Sequence, residues 1–495
     1  MLESLLHFVG ASQALTKSSY IKTTLQPHQE EVRQRAQSGN LLIAHGMGSG
    51  KTLSSIAAAD AVGGPSVDVF TPAPLTENYK KEILKHRTGG SPVNVRSVSR
   101  ASLRDTQIEP GSTMVVDEAH LARNPSALRS KYLKAQAARA GRVLLLTGTP
   151  TYNKPSNLAP LINMVAQKKV LPEDPREFQK QFISEKKVDP GFIGKMLGVK
   201  PGITRSLKNR NKLLKALRGR VHVFEQTEGM PERIEKDVDV KMSPAQQDVY
   251  RYVEKKLPLY SRLKIRWNLP LNKTESKNLN AFSAGLRQAS NTPGPYIKDM
   301  SHLQAAIASP KMTQAMDSIK EKMKIDPDFR GFVYSNYKDA GTLPMAALLR
   351  KEKIPYAIYH GGLNTVEKKN IVDRYNNGEI KVLLGTSAAT EGLDLKGTKL
   401  IQVLEPHFNE SKTEQAIARG IRFGSHAHLP EDARKVLVER YYSKPTQGFF
   451  TKLISGKDIG IDRYLRNRAL DKKKLSDQIK GVMLEAQQPK KGLFS

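Results

Sequence analysis

Residues 44–52 read AHGMGSGKT and follow directly on the apolar segment Leu41–Ala44. A strand that runs into a glycine-rich turn ending in Lys-Thr is typical of a phosphate-binding loop. Its glycines leave backbone N–H groups free to surround phosphates; they are Gly46, Gly48 and Gly50. Lys51 adds positive charge, and the Thr52 hydroxyl can ligate Mg²⁺. His45 stands where the long form of the pattern has its first glycine, and the three later glycines can still form the loop.

A second motif, VVDEAH at residues 115–120, ends another apolar segment, Met114–Val116. In it, Asp117 could hold the metal ion, directly or through water, and Glu118 could polarise an attacking water. An acidic pair alone is common on protein surfaces. Its position after an apolar strand, downstream of the phosphate loop, favours a catalytic role. The two motifs together predict hydrolysis of nucleoside triphosphates.

The composition predicts a polyanionic partner. Among 495 residues, Lys and Arg number 80 against 48 Asp and Glu, which gives a formal net charge of +32. Nucleic acid would relieve the resulting self-repulsion, and a solubilising surface is the alternative. The chain has no cysteine, which excludes disulfides, thiolate zinc sites and thiol catalysis. It has no apolar run of membrane-spanning length and no evident secretory signal, so we expect a soluble, intracellular protein.

Two regions alternate short apolar strands with helical stretches, which predicts α/β domains with parallel sheets. The strands predicted in residues 25–165 are Leu41–Ala44, Val67–Thr71, Met114–Val116 and Val143–Thr147. Those predicted in residues 310–455 are Gly331–Tyr334, Tyr356–Tyr359, Lys381–Gly385, Leu400–Leu404 and Val436–Val438. Because only the first region has a phosphate loop, we expect the two lobes to share one ATP. An N-terminal extension (1–24), a helical basic insertion (166–309) and a helical C-terminal brace (456–495) complete the expected organisation.

The insertion contains a long basic segment. From Lys195 to Arg220 there are nine basic residues and no acidic one. This segment is either a solvated helix face or a surface that faces DNA, and the sequence leaves both open. The candidate nucleic-acid contacts in it are Lys208, Arg210, Lys212 and Lys215.

Two further motifs suggest roles in the same reaction. Residues 144–150 read LLLTGTP and are either a plain strand and turn or a hydroxyl-lined loop that couples hydrolysis to domain motion. In residues 415–422, QAIARGIR, a helix would place Gln415, Arg419 and Arg422 on one face. Arginines so placed could reach the nucleotide as arginine fingers, or could form an exposed salt-bridge face. The preceding loop, GTSAATEGLDL at residues 385–395, has small hydroxyl residues suited to phosphate contact.

In their order along residues 25–440, these motifs resemble those of superfamily-two helicases and, within them, Swi/Snf-type DNA translocases. The set begins with Gln29 in LQPHQ and continues with the phosphate loop, the Asp-Glu-Ala-His box, Thr-Gly-Thr-Pro, the Gly392–Asp394 loop and the double-arginine segment. The finer match rests on residues 71–82 (TPAPLTENYKKE), 230–233 (MPER) through 243–250 (SPAQQDVY), 286–293 (LRQASNTP) and 309–311 (SPK).

The resemblance implies two RecA-like lobes with helical insertions, ATP and Mg²⁺ as cofactors, and a nucleic-acid partner, double-stranded DNA above all. It implies that Gln29 reads adenine and that Gly392 and Asp394 contact ATP. It assigns phosphate, metal and water to Lys51, Thr52, Asp117 and Glu118, with Thr52 and Asp117 on the metal. Gln415, Arg419 and Arg422 would complete the catalytic site. Coupling would fall to His120, Thr147 and Thr149, and contact with the nucleic-acid backbone to Pro72, Thr386 and Ser387.

The chain departs from cellular chromatin remodellers in one place. Residues 423–430 read FGSHAHLP where remodellers usually have a glycine-glutamine pair, and GID follows at 460–462. This ending looks more like helicase-type ATPases of large DNA viruses and phages, for which host cytoplasm or virion is the expected location. We expect a motor that moves along duplex DNA with little sequence preference. The alternatives are a strand-separating or branch-migrating helicase on DNA or RNA, and an ATP-gated nucleic-acid-binding scaffold of transcription.

Overall fold

The structure is a computed structural model, and it describes residues 19–46, 48–99, 107–148, 154–225, 228–390, 393–407, 410–447 and 458–488. The chain forms two compact units. The first comprises the chain up to Ile183, Leu207–Gln226 and the chain from Ser476 onward, and the second comprises Ser184–Ser206 and Thr227–Leu475. Within these described ranges, no helix combines the length and apolarity needed to cross a membrane.

Helices and strands alternate through most of the described chain. In chain order they are α1 (Pro27–Ser38), β1 (Leu41–His45), α2 (Lys51–Val62), β2 (Val67–Thr71), α3 (Thr76–His86), β3 (Val93–Ser97), β4 (Thr113–Val116), α4 (Leu128–Arg139), β5 (Arg142–Thr147), α5 (Leu158–Ala166), α6 (Pro175–Phe182), β6 (Ile183–Val188), α7 (Gly191–Met196), β7 (Gly202–Leu207), α8 (Arg210–Leu217), β8 (Val221–Phe224), β9 (Glu232–Lys241), α9 (Pro244–Glu254), α10 (Leu259–Arg266), α11 (Lys273–Asn291), α12 (His302–Ile307), α13 (Pro310–Ile325), β10 (Gly331–Tyr334), α14 (Leu343–Lys351), β11 (Tyr356–Tyr359), α15 (Thr365–Asn376), β12 (Val382–Gly385), β13 (Leu400–Val403), α16 (Glu410–Ile417), β14 (Lys435–Lys444) and α17 (Gly460–Gln487).

The first unit is built on a six-stranded sheet in the order β3-β2-β4-β5-β1-β8, and every neighbouring pair is parallel. Its central strands are apolar throughout because both faces of the sheet are covered. In β5, for example, the fully buried neighbours Leu144 and Leu145 belong to cores on opposite faces. The four strands predicted for this region are confirmed to within one residue at each end.

The second unit contains a separate six-stranded parallel sheet in the order β11-β12-β10-β13-β14-β9. The neighbours Phe332 and Val333 of β10 point into cores on opposite faces. The five predicted strands are present, although β14 extends well beyond the predicted Val436–Val438. The expected fold class, two parallel-sheet α/β lobes, is confirmed.

Residues 166–309, predicted as helical, also contain four strands that sequence analysis did not predict. The two strands β6 and β7 form a small sheet of their own, whereas β8 and β9 form the outer strands of the two large sheets. Ion pairs join β9 to its neighbour β14: Lys236 lies 3.1 Å from Glu439, and Arg440 lies 3.1 Å from Glu235. The predicted C-terminal helix is α17, whose Ile479 and Val482 pack in the core of the first unit.

Candidate functional site

The phosphate loop lies at the carboxyl end of β1, where parallel sheets place their ligand-binding loops. Gly48 has φ 80° and Gly50 has φ 69°, in the left-handed region that a side chain disfavours. Helix α2 begins directly at Lys51, so the free N–H groups of its first turn and its positive dipole end adjoin the loop. The Lys51 ammonium donates to the carbonyl oxygens of His45 and Gly46, at 3.2 and 3.1 Å. This geometry fits a triphosphate.

Two elements support the loop from outside. The Gly46 N–H donates to the Phe224 carbonyl in β8, at 2.8 Å. In α1, the His28 ring stacks on Phe224 with centroids 3.6 Å apart, and its Nε2 lies 2.9 Å from the Ser49 carbonyl oxygen. Gln29, the predicted adenine reader, is buried so close that a Cβ built on Gly50 would lie 2.5 Å from its Nε2. The structure therefore brings Gln29 to the loop, and Gly50 is the residue that leaves room for it.

His45, the departure from the glycine pattern, is fully buried at the end of β1. Its Nε2 lies 2.7 Å from Nδ1 of His222 in β8. Burial, followed by the nearby His222, His28 and Lys51, lowers the pKa of His45 to about 2, so this imidazole is neutral. Sequence reasoning missed the contacts of His45 because its partner is 177 positions away, on a strand that was not predicted.

The acidic pair follows β4. The Asp117 N–H donates to the Phe70 carbonyl at 2.8 Å, and its carboxylate accepts from the Glu118 N–H at 2.9 Å. Burial and the adjacent Glu118 charge raise the pKa of Asp117 to about 6. Glu118 has φ 49°, a left-handed conformation that is uncommon for residues other than glycine. Its carboxylate lies 3.0 Å from His120 Nδ1, so a predicted catalytic residue contacts a predicted coupling residue.

The residues present fit a magnesium ion. A cation beside Asp117 would offset the burial and the Glu118 repulsion that raise its pKa, and the carboxylate and the Thr52 hydroxyl are oxygen donors of the kind Mg²⁺ prefers. Mg²⁺ is usually held by one or two such groups together with substrate phosphates. Thr52 and Asp117 would hold the ion, and it would neutralise phosphate charge.

The Thr-Gly-Thr-Pro motif follows β5. Thr147 is fully buried at the end of that strand, and a Cβ on Gly148 would lie 3.6 Å from the Lys51 ammonium. The start of the motif thus adjoins the phosphate loop. Thr149, the second predicted coupling hydroxyl, lies outside the described residues.

The prediction that one helix carries Gln415, Arg419 and Arg422 is wrong. Helix α16 ends at Ile417, so only Gln415 lies on it. The chain then forms turns, because the N–H groups of Arg419 and Gly420 donate to carbonyl oxygens three residues earlier. The Leu395 N–H donates to the Arg419 carbonyl at 3.1 Å. A Cβ on Gly420 would lie 3.0 Å from Ile401, and this packing against the sheet fixes the turn.

Arg422 instead contacts the loop that sequence analysis had assigned to ATP. Its guanidinium donates to the Leu393 carbonyl at 3.3 Å and lies 3.5 Å from the Asp394 carboxylate. Both side chains are partly exposed. The structure thus brings Asp394 and Arg422 together, while Gly392 lies outside the described residues.

The predicted nucleic-acid contacts occur in both units. In the first, Pro72 directly follows β2, and the basic side chains of Lys208, Arg210, Lys212 and Lys215 are exposed around α8, whose Leu213 and Leu217 are buried. Arg210 is paired with Glu485. In the second, Thr386 and Ser387 follow β12, and the Thr386 N–H donates to the Tyr359 carbonyl at 3.1 Å.

Comparison with known proteins adds two family matches. Residues 96–295 match the SNF2-related domain, and residues 314–424 match the helicase conserved C-terminal domain.

Relatives with similar sequences come from large DNA viruses. A protein of Acanthamoeba polyphaga mimivirus, named as an ATP-dependent RNA helicase, is 28% identical over 473 residues, or 93% of this chain and 97% of that protein. The termination factor NPH-I homologue of African swine fever virus is 23% identical over 92% of this chain and 77% of that protein. Among solved structures, the helicase domain of Hef from Pyrococcus furiosus has a similar fold, with a TM-score of 0.50 at 17% identity over 84% of this chain and 95% of that chain.

Proposed function

We propose that the chain uses ATP to translocate on duplex DNA with little sequence preference. It matches the SNF2-related domain over residues 96–295 and the helicase conserved C-terminal domain over residues 314–424. Its class, an ATP-dependent enzyme that acts on nucleic acid, follows from the two matched domains. The observation that carries the proposal is the first unit's phosphate loop with Lys51, set beside a half-buried Asp117 and a strained Glu118. These are the groups that phosphoryl transfer to water requires.

We assign the hydrolysis step as follows. The loop and Lys51 bind the phosphates, and Glu118 orients the attacking water, with His120 against its carboxylate. Thr52 and Asp117 would hold Mg²⁺, which would offset the charge of the phosphates. Arg419 and Arg422 stabilise charge on the transferring phosphate, a contribution worth about a thousandfold or more in related reactions. The Arg422 guanidinium lies 3.5 Å from the Asp394 carboxylate, which can orient it.

The DNA part of the proposal rests on charge and on the family. A net charge of +32 suits a polyphosphate backbone. Contacts to phosphate carry no sequence information, so a motor that grips the backbone through Pro72, Thr386, Ser387 and the basic residues of α8 would move on any sequence.

A second candidate is favoured by the name of one relative. The African swine fever virus protein is called a termination factor homologue, which suggests that a motor of this kind acts on transcription complexes. Release of RNA from a stalled elongation complex, with ATP and with Glu118→Gln as control, tests this candidate. The scaffold alternative is disfavoured because an ATP-gated scaffold does not need Glu118 or Arg422.

The experiment for the main proposal is steady-state ATPase activity with no nucleic acid, single-stranded DNA, duplex DNA and RNA. Strong stimulation by duplex DNA supports the proposal. Preference for RNA or for single strands would favour the strand-separating helicase. The name of the mimivirus relative, an RNA helicase, suggests RNA as the substrate in that case.

A further inference from the structure

An exposed apolar surface lies in the second unit, and none of its residues is among the predicted site residues. We call it the apolar patch and define it as Phe192, Ile193, Met196 and Leu197 at α7 with Leu259 and Tyr260 of α10. Phe192 is 78% exposed and Met196 is 73% exposed. A Cβ on Gly198 would lie 3.4 Å from the Tyr260 hydroxyl, which brings the two segments together. Contiguous apolar surface of this kind marks an interaction site.

The patch is held in place by the opposite side of α7. A Cβ on Gly194 would lie 3.4 Å from the Trp267 ring, and Val199 is 3% exposed. The Val199 N–H also donates to the Gly194 carbonyl at 2.8 Å, closing the turn after the helix. Because this segment already has its own buried side, the outward side chains are free to contact a partner.

The segments that carry the patch are basic. Residues 184–206 contain five basic and two acidic residues, and both acids are paired: Glu185 lies 2.9 Å from Arg205 and Asp189 lies 2.6 Å from Lys195. The remaining lysines, together with two from the segment before α10, are exposed: Lys186, Lys187, Lys200, Lys255 and Lys256. Exposed basic side chains in the same segments as the apolar side chains complement a partner that combines negative charge with apolar faces.

We propose that the apolar patch contacts unpaired bases of nucleic acid where a duplex is opened, while the exposed lysines of the same segments contact the adjoining phosphates. Phe and Met are side chains that insert between base steps, and Phe and Tyr rings stack on exposed bases. The proposal rests on the nucleic-acid binding stated above, but it does not require translocation. An acidic protein would fit only if its negative charges and apolar side chains had this same arrangement. Every opened duplex, in contrast, combines phosphate charges with exposed base faces.

The test compares the full chain with a Phe192→Ser, Met196→Ser variant. Fluorescence anisotropy measures affinity for three labelled DNAs of equal length: a blunt duplex, the same duplex with a central bubble, and a single strand. We expect the wild type to bind the bubble more tightly than the blunt duplex. In the variant, the ratio of these two affinities should fall about tenfold. Duplex affinity and duplex-stimulated ATPase activity should stay unchanged, because both substituted side chains are exposed.

The matched control is Val366→Ser, which removes a 77% exposed side chain from α15 in the same unit and should change nothing. Unchanged bubble preference in the double variant would overturn the proposal and point to a protein partner. Equal weakening on all three DNAs would also overturn it, because the patch would then not distinguish bases from backbone. A wild type that prefers the bubble but shows no duplex-stimulated ATPase activity would contradict the motor and leave the patch proposal standing.

Discussion

Among single residues, Glu118 combines catalytic chemistry with backbone strain. A left-handed conformation in a residue other than glycine costs about 1–3 kcal/mol, and it directs the carboxylate toward His120. We expect Glu118→Gln to bind ATP normally, since the amide keeps the shape, and to hydrolyse it at least about a hundredfold more slowly, since the amide cannot act as a base. Nucleotide binding by fluorescence and single-turnover hydrolysis separate the two effects.

The control for this change is Glu109→Gln, which alters an exposed carboxylate in the same unit. It should hydrolyse ATP like the wild type. Normal turnover in Glu118→Gln would remove this residue from its assigned role.

His45 gives the first unit a pH dependence. Its pKa is about 2 in the folded protein and about 6.5 when unfolded, so the unfolded state binds the extra proton as the pH falls. The contribution of neutral His45 to the free energy of unfolding is therefore present in full above about pH 6.5. About 1 kcal/mol of this contribution is lost between about pH 6.5 and 5.5. Thermal unfolding across this range should show a shallower pH dependence in His45→Gln. Equal slopes in the two proteins would show that His45 does not remain neutral.

At the scale of elements, the end of α16 determines where the arginines lie. Because the helix stops at Ile417, Arg422 is held by Asp394 and the Leu393 carbonyl rather than by a helix face. We expect Arg422→Ala to keep its DNA affinity and lose most ATPase activity. Arg374→Ala, which alters an exposed arginine of α15, is the control and should retain activity. Full ATPase activity in Arg422→Ala would make this arginine a surface residue.

The exposed side of α8 gives a prediction about salt. Replacing Lys208, Arg210, Lys212 and Lys215 with Ala should reduce the steepness of log affinity against log salt by up to about 3, since Arg210 is already paired with Glu485. Equilibrium binding to duplex DNA at several salt concentrations measures this slope. Changing the three lysines to Arg keeps the charge and should keep the slope. An unchanged slope in the Ala variant would leave α8 a solvated face.

Elements whose signal is local could be predicted from the sequence, and elements fixed by distant contacts could not. The buried strands β1, β2, β4 and β5 can be recognised from the sequence because they are short, mainly apolar runs. In contrast, β9 alternates charges and is stabilised by partners on β14 such as Glu439. In the site, the phosphate loop and the acidic pair are local motifs. The His28–Phe224 stack and the His45–His222 contact depend on β8, and the end of α16 depends on the packing of Gly420 against Ile401.

At the scale of the whole molecule, the residues assigned to one reaction come from two units. The first contains the phosphate loop and the acidic pair, and the second contains Arg419 and Arg422. In the proposed motor, hydrolysis therefore requires residues of both units. The affinity for nucleic acid then changes with the nucleotide that is bound. This is what distinguishes a translocase from an ATPase that only binds DNA.

Displacement of a third strand from a DNA triplex tests this claim most directly, because a motor moving along the duplex removes that strand without separating the other two. With ATP, the wild type should release the third strand while the duplex stays paired, and Glu118→Gln should not. An active, DNA-stimulated ATPase that leaves the triplex intact, or that separates the duplex strands instead, would contradict duplex translocation.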